Sequence, residues 1–185
     1  MRRSQVLNAD TAIPVTSLFH YEGAMRELIL QAKVHSVWRT AQFLMDLAAN
    51  DSQIAQLVAW ADILVPAPSS AWGRLRGRFD LAQLTTARLA KEHTKTMQLP
   101  PGRLFWRWRK RAQATDREQH NAFASQSSGN GDSKEKTKNK IKILFIDDII
   151  TTGFTMRELF AYYPNTEIQV LTLASALPVE PQPHE

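Results

Sequence analysis

The sequence predicts an α/β fold with a mainly parallel sheet flanked by helices. Residues 143–146 (ILFI) are a fully apolar run, which is typical of a buried strand in a parallel sheet. A turn around Gly153, a helical stretch over 156–163 and a second apolar run over 168–174 follow it. Strand, turn, helix and strand in this order form a βαβ unit, in which the two strands lie parallel.

The earlier part of the chain supplies the remaining elements. Apolar residues recur at steps of three and four from position 21 to about 50, and again over 54–61 and 79–93, which predicts helices. Residues 62–65 (DILV) are a short apolar run ended by prolines, which predicts a buried strand entering a rigid loop. Arginine, lysine and tryptophan alternate over 99–123, where a helix, an extended ribbon and a mobile loop all stay open.

One domain with irregular ends is expected. A length of 185 residues suits a single globular domain, and 43% hydrophobic content suffices for one core. We expect this domain over residues 19–178, between an N-terminal tail (1–18) and a C-terminal tail (179–185). Residues 124–140 are rich in Ser, Gly, Asn and Lys, and we expect a disordered insertion there.

Composition narrows the classes of function. The absence of cysteine excludes disulfides, thiol catalysis and thiolate zinc sites, and the five histidines show no metal-ligand spacing. No apolar run is long enough to predict a membrane span, and no signal-peptide pattern follows Met1, so we expect a cytoplasmic protein. The net charge of +5 favours a polyanionic partner, either a phosphorylated small molecule or nucleic acid; a merely solvated surface is the alternative.

The candidate site follows the strand at 143–146. This strand delivers Asp147 and Asp148 to its exposed carboxyl end, the edge at which open α/β sheets bind ligands. The turn over 151–155 (TTGFT) opens the next helix, and its amides and hydroxyls suit a phosphate dianion. Gly153 permits a close approach of the backbone to that phosphate.

The acid pair indicates what the phosphate is attached to. Carboxylates repel a phosphate, but they accept hydrogen bonds from a diol such as that of ribose, and they hold Mg²⁺ directly or through water. A Walker-B strand would need a phosphate-binding loop that none of the seven glycines provides, and a receiver domain would need a longer chain after Thr155. An acidic strand end followed by an ordinary threonine helix cap is the structural alternative.

Segment 143–155 (ILFIDDIITTGFT) resembles the phosphoribosyl-pyrophosphate signature of type I phosphoribosyltransferases. Four apolar residues, two acidic, two apolar, and then small or hydroxyl residues around a glycine all conform to it. The resemblance implies a type I phosphoribosyltransferase-like fold with a hood or flexible-loop region, binding phosphoribosyl pyrophosphate or a similar ribose phosphate with Mg²⁺. It assigns this ligand to Asp147, Asp148, Ile150, Thr151, Thr152, Gly153, Phe154 and Thr155, and the metal to the two aspartates, directly or through ribose or water.

Residues 19–175 also resemble one branch of that fold, the ComF/GntX-type competence-protein family. The similar residues are Tyr21, Gly23, Arg26, Ile29 and Lys33; Val65-Pro66-Ala67-Pro68; Arg74, Arg76, Gly77, Phe79 and Asp80; and Arg107, Arg109, Gln113, Arg117, Asn121 and Phe123. The resemblance implies that the loop after Pro68 faces pyrophosphate, with Ser69 and Ser70 as contacts. Arg78 interrupts the family's usual Gly-Phe pair, and its four-cysteine zinc module is missing.

The resemblance further implies an association with DNA uptake, competence or the use of DNA. The basic and aromatic residues Trp106, Arg107, Trp108, Arg109, Lys110 and Arg111 suit stacking on single-stranded DNA. Equally, they suit a hood ribbon whose tryptophans face inward while its arginines hold pyrophosphate. Two functions therefore stay open: a phosphoribosyltransferase, and a non-catalytic nucleotide- or DNA-binding partner of a DNA-uptake system, where a helicase is an expected partner.

Overall fold

The computed structural model describes residues 2–8, 11–68, 77–100, 140–160 and 162–177. Within them, six strands form one sheet in the order β1-β2-β6-β5-β3-β4. The strands are β1 (Arg2–Asn8), β2 (Thr11–His20), β3 (Ile63–Pro66), β4 (Thr96–Met97), β5 (Lys142–Ile150) and β6 (Glu167–Ser175), and the helices are α1 (Gly23–Lys33), α2 (Trp38–Ala49), α3 (Ser52–Trp60), α4 (Leu81–Glu92) and α5 (Phe154–Phe160).

The sheet confirms the predicted α/β class. The pairs β2-β6, β6-β5, β5-β3 and β3-β4 are all parallel, and the edge strand β1 pairs antiparallel with β2. Strand β5 lies between β6 and β3, so hydrogen-bonded neighbours flank it on both sides. None of the helices in the described part of the chain has both the length and the hydropathy of a membrane-crossing segment.

The prediction of an N-terminal tail over residues 1–18 is wrong. Strands β1 and β2 form an antiparallel hairpin, and β2 continues the parallel sheet beside β6. Ile13, Val15 and Ser17 of β2 are buried while Pro14 is exposed, as expected when alternate side chains face opposite sides of a strand. Polar residues and Pro14 stand between the apolar residues of β2, and this mixture concealed the strand. The expected insertion and C-terminal tail lie outside the described residues, apart from residue 140.

The helices agree with the predicted positions within a few residues. The helical stretch expected from 21 to 50 is divided into α1 and α2 by residues 34–37, where Ser36 has a left-handed φ of 54°. Helix α3 begins after Asp51, whose carboxylate accepts two backbone N–H groups of the first turn, and α4 begins after Asp80, whose carboxylate accepts one. Such caps satisfy amides that have no partner inside the helix.

The hydrophobic core lies between the sheet and helices α1 to α4. Its buried members from the helices and sheet include Ile29, Leu44, Ile54, Leu89, Leu64, Leu144, Ile146, Leu171 and Leu173. Helix α1 contributes Ile29 and Ala32, both fully buried, from its last two turns. This packing fixes the C-terminal end of α1 against the sheet, where it approaches the end of β5.

Candidate functional site

Asp147 and Asp148 lie inside β5 rather than beyond its end. The strand continues two residues past the pair, and Asp147 is the register partner of Thr172 on β6. On the other side, β3 ends at Pro66, which is the partner of Ile146. The acid pair therefore lies just past the end of β3 and beside the loop that follows it. Sequence reasoning ended the strand too early because aspartate is depleted in strands.

Both aspartates are buried, with 9% and 5% of their surfaces exposed. Their predicted position at an exposed strand end is therefore wrong. An ionised carboxylate removed from water requires a charged or hydrogen-bonding partner, because its desolvation is otherwise unfavourable.

Lys33, the last residue of α1, provides such a partner. Its Nζ lies 2.5 Å from Oδ2 of Asp148, and the lysine side chain is 42% exposed. Burial lowers the pKa of the Lys33 ammonium, but the nearby charges of Asp148 and Asp147 raise that pKa by more, to above its ordinary value. The lysine is therefore charged at neutral pH.

The two carboxyl groups of the pair are not equivalent. Asp147 accepts the backbone N–H of Asp148 at 2.8 Å, which favours its ionised form. Burial and then the neighbouring charge of Asp148 act more strongly, and together they raise the pKa of Asp147 well above 3.8. One carboxylate is thus paired with an ammonium, and the other holds a proton more tightly than a free aspartate. Such unequal neighbouring acids are typical of ligand and catalytic sites.

Residues 77–80 bring a third acid near Lys33. The hydroxyl of Ser36 donates to the carbonyl of Gly77 at 3.1 Å, and the rings of Trp38 and Phe79 meet edge to face, 5.6 Å apart. These contacts hold the segment against the corner between α1 and α2. Asp80 caps α4 there, and its negative charge contributes to the raised pKa of the lysine.

Thr172 fixes the backbone beside the acid pair. Its buried hydroxyl lies 3.2 Å from the carbonyl oxygen of Asp148 and 2.9 Å from that of Ala174, so its one proton is shared between two acceptors. Sequence reasoning missed this residue, although a single hydroxyl within the apolar run 168–174 was an available signal. It also gave Lys33 no role, because nothing local in the sequence indicates which distant carboxylate a lysine will meet.

The loop after β5 turns at Gly153. This glycine is buried and has a φ of 68°, a left-handed conformation that residues with a Cβ avoid. Its carbonyl accepts the N–H of Met156 at 3.1 Å and that of Arg157 at 3.2 Å, which closes the first turn of α5. The guanidinium of Arg157 donates to the carbonyl of Thr152 at 2.9 Å, so a positive charge lies beside the loop. Sequence reasoning also missed this arginine.

The other predicted loop residues differ in exposure. Thr151 and Thr152 are exposed, and Thr155 is half-buried. Ile150 is 2% exposed and packs into the interior, so its side chain is not available to a ligand. Phe154 is the first residue of α5. The exposed part of this loop is therefore the turn formed by residues 151 and 152 ahead of the glycine.

Loops from neighbouring strands meet at the same edge of the sheet. The N–H of Ala67, directly after β3, donates to the carbonyl of Ile146 at 2.7 Å. The N–H of Ala176, directly after β6, donates to the carbonyl of Ile150 at 2.9 Å. The loop after β3 therefore starts beside the acid pair, at the edge where parallel sheets bind ligands. The predicted pyrophosphate contacts Ser69 and Ser70 and the basic, aromatic residues 106–111 lie outside the described residues.

Direct coordination of Mg²⁺ by both aspartates does not fit this arrangement. Mg²⁺ requires about six oxygen ligands at about 2.0–2.1 Å. Oδ2 of Asp148 is already in contact with the Lys33 ammonium, and across the described ranges no cluster of three or more acidic or histidine side chains is suited to a metal ion. Contact through ribose or water stays a prediction, since a ligand pyrophosphate would supply most of the oxygens.

The chain matches no protein-family model and no curated protein sequence. It is similar to a solved structure of orotate phosphoribosyltransferase from Aeropyrum pernix, with 15% identity and a TM-score of 0.42, over 94% of this chain and 74% of that chain.

Proposed function

We propose that this chain binds phosphoribosyl pyrophosphate, or a similar ribose 5-phosphate, between the acid pair of β5 and the loop that follows it. The observation that carries the proposal is the buried pair Asp147–Asp148 on the strand that leads directly into the left-handed turn at Gly153. Two buried carboxyl groups beside one ammonium destabilise a fold, and replacing such groups by apolar residues is often neutral or stabilising. A purely structural role does not explain that cost, whereas recognition of a diol does.

The acid pair is complementary to the two adjacent hydroxyls of a ribose. The carboxylate of Asp148, in contact with the Lys33 ammonium, would accept a hydrogen bond from one hydroxyl. Asp147, whose pKa is raised, can hold its proton and donate a hydrogen bond to the second hydroxyl. One acceptor and one donor side by side match a diol more specifically than two acceptors do.

The 5-phosphate is assigned to the turn at residues 151–153. Successive backbone N–H groups in a turn that contains a left-handed residue form a concave site for an anion. Arg157, whose guanidinium contacts the carbonyl of Thr152, adds a positive charge beside this turn. Because α5 has only seven residues, we assign phosphate binding to the turn amides and Arg157 rather than to a helix dipole.

Phosphoribosyl transfer is the reaction that this ligand would support. Pyrophosphate would leave C1 of the ribose while a nucleophile attacks that carbon. Catalysis would consist mainly of positioning and electrostatic stabilisation. Mg²⁺ carried by pyrophosphate would neutralise the leaving group. The assignment to a type I phosphoribosyltransferase of the ComF/GntX type is supported by the sequence resemblance, together with the start of the loop after β3 beside the acid pair.

Titration calorimetry with phosphoribosyl pyrophosphate and Mg²⁺ tests the binding site. We expect one saturable site in the unaltered chain, lost in the double variant Asp147→Asn/Asp148→Asn. Glu27→Gln, which alters an exposed carboxylate on α1, is the matched control and should bind normally. Unchanged affinity in the double variant would remove the proposal. Release of pyrophosphate in the presence of a panel of nucleobases then separates a transferase from a binding module.

The second candidate is a binding partner of single-stranded DNA in a DNA-uptake system. The alternation of tryptophan and basic residues over 105–111 favours it, because aromatic faces stack on bases while cations neutralise phosphates. Its test is affinity for single-stranded oligonucleotides at several salt concentrations. Binding that weakens with salt and is lost in Trp106→Ala/Trp108→Ala supports this role, and binding that survives the double substitution contradicts it.

A further inference from the structure

We infer that the ammonium of Lys33 is a built-in counter-cation of the acid pair, so that Asp147 and Asp148 grip a sugar diol without a directly coordinated metal ion. The sugar in this inference rests on the proposed function. The replacement of a metal ion by a lysine does not, because it follows from the arrangement of charges alone.

The contact geometry places Lys33 on an oxygen of the acid pair that a directly coordinated metal ion would use. Its Nζ is 2.5 Å from Oδ2 of Asp148, the carboxylate with 7% side-chain exposure. A divalent ion on the same oxygen would lie within a few ångströms of the ammonium. Two and one positive charges at that distance repel strongly in a site that excludes most water. The ammonium must therefore leave before a metal ion can bind there.

The position of Lys33 is set by the packing of α1 and not by a mobile loop. Ile29 and Ala32, in the turns before it, are fully buried, and the N–H of Val34 continues the helical hydrogen bonding to the carbonyl of Leu30 at 2.8 Å. The backbone of Lys33 is thus held against the core, so its side chain is delivered to the acid pair by a rigid element.

Asp80 strengthens the hold on the ammonium without competing for the ligand. Its carboxylate accepts the N–H of Gln83 at 3.0 Å as the cap of α4. That cap keeps the acid in place, and its negative charge adds to those of Asp147 and Asp148 around the lysine. Three acids of the described residues therefore favour a charged Lys33.

Binding of Mn²⁺, measured by electron paramagnetic resonance on the full chain without any sugar, tests the metal part. We expect no saturable Mn²⁺ site at the acid pair in the unaltered protein. Lys33→Met removes the charge at similar length and should produce a site that binds Mn²⁺ at least about tenfold more tightly, because the repelling charge is gone. Adding Asp148→Asn should abolish that site. Lys33→Arg, which keeps the charge, should resemble the unaltered protein.

Lys91→Met is the matched control, since this exposed lysine in the last turn of α4 has the same change of charge away from the site. Mn²⁺ binding by the unaltered protein that disappears in Asp147→Asn/Asp148→Asn would overturn the inference without requiring any lysine variant to fold. A folded Lys33→Met that gains no Mn²⁺ affinity would overturn it as well, and circular dichroism establishes that the variant is folded.

Calorimetry with ribose 5-phosphate tests the sugar part. The unaltered protein should bind it with the same affinity in EDTA and in Mg²⁺, and a loss of binding in EDTA would contradict the inference. No binding of ribose 5-phosphate in either buffer would overturn the proposed function itself. The Mn²⁺ measurement uses no sugar, and it then still decides whether Lys33 holds the place of a metal ion.

Discussion

Lys33→Met should destabilise the protein more than the loss of a surface ion pair does, because it leaves Asp148 buried without its cation. Removing one partner of a fully buried pair costs about 3–5 kcal/mol, and exposed pairs contribute about 0–1 kcal/mol. Here the side chain of Asp148 is 7% exposed and that of Lys33 is 42% exposed, so water hydrates the lysine but hardly reaches the carboxylate. Between these limits we expect a loss of about 2 kcal/mol.

Substitution of the other partner of the pair should lower the stability less. Asp148→Asn leaves a lysine whose long side chain can turn its ammonium to water, so we expect about 1 kcal/mol. The double variant should then be less unstable than the sum of the two changes, with a coupling energy of about 1–2 kcal/mol. The pair Arg26–Glu27, with side chains 52% and 63% exposed at 2.9 Å, is the control, and its coupling should stay below about 0.5 kcal/mol.

Urea unfolding of the four proteins of each cycle at pH 7 measures these values, provided that the slope with denaturant stays unchanged. The Lys33–Asp148 coupling should persist at high salt because little solvent separates the charges, whereas any coupling of the control pair should disappear. A coupling no larger than that of Arg26–Glu27 would refute the reasoning, since the ammonium would then not be held at the buried carboxylate.

Three further changes test the remaining features of the site. Asp147→Asn should stabilise the ligand-free protein at pH 7. The pKa of Asp147 is raised above 3.8 in the folded state, so the free energy of unfolding decreases as the pH rises from that value through the folded pKa. Asparagine does not ionise, so the variant should not show this decrease. Urea unfolding between pH 4 and 7 checks it, and parallel profiles would contradict it. Gly153→Ala should cost about 1–2 kcal/mol and weaken ribose 5-phosphate binding in calorimetry, because alanine resists a φ of 68°; unchanged stability would mean that the turn adapts freely. Thr172→Val should cost about 1 kcal/mol through the lost hydrogen bond to the carbonyl of Asp148, and a variant as stable as the unaltered chain would show that this bond contributes nothing.

Local patterns in the sequence determined much of the fold. The apolar run at 143–146 and the mostly apolar run at 168–174 became β5 and β6, because short apolar runs between turn signals are consistent with buried strands. The helical periodicities before them likewise became α1 to α4. The turn at Gly153 was also predicted correctly, since the residue type and the conformation that it permits are both local properties.

Tertiary structure alone decided the environment of the acid pair. The N-terminal hairpin joins the sheet through hydrogen bonds to β6, and a strand with alternating polar residues shows this only when its partner is known. The burial of Asp147 and Asp148 and the contact of Lys33 with Asp148 bring together residues of β5 and α1 that are distant in the chain. The sequence determined which chemical groups this site contains; the packing of α1 against the sheet decided which of their charges meet, because charge pairing depends on distance in space and leaves no periodic pattern along the chain.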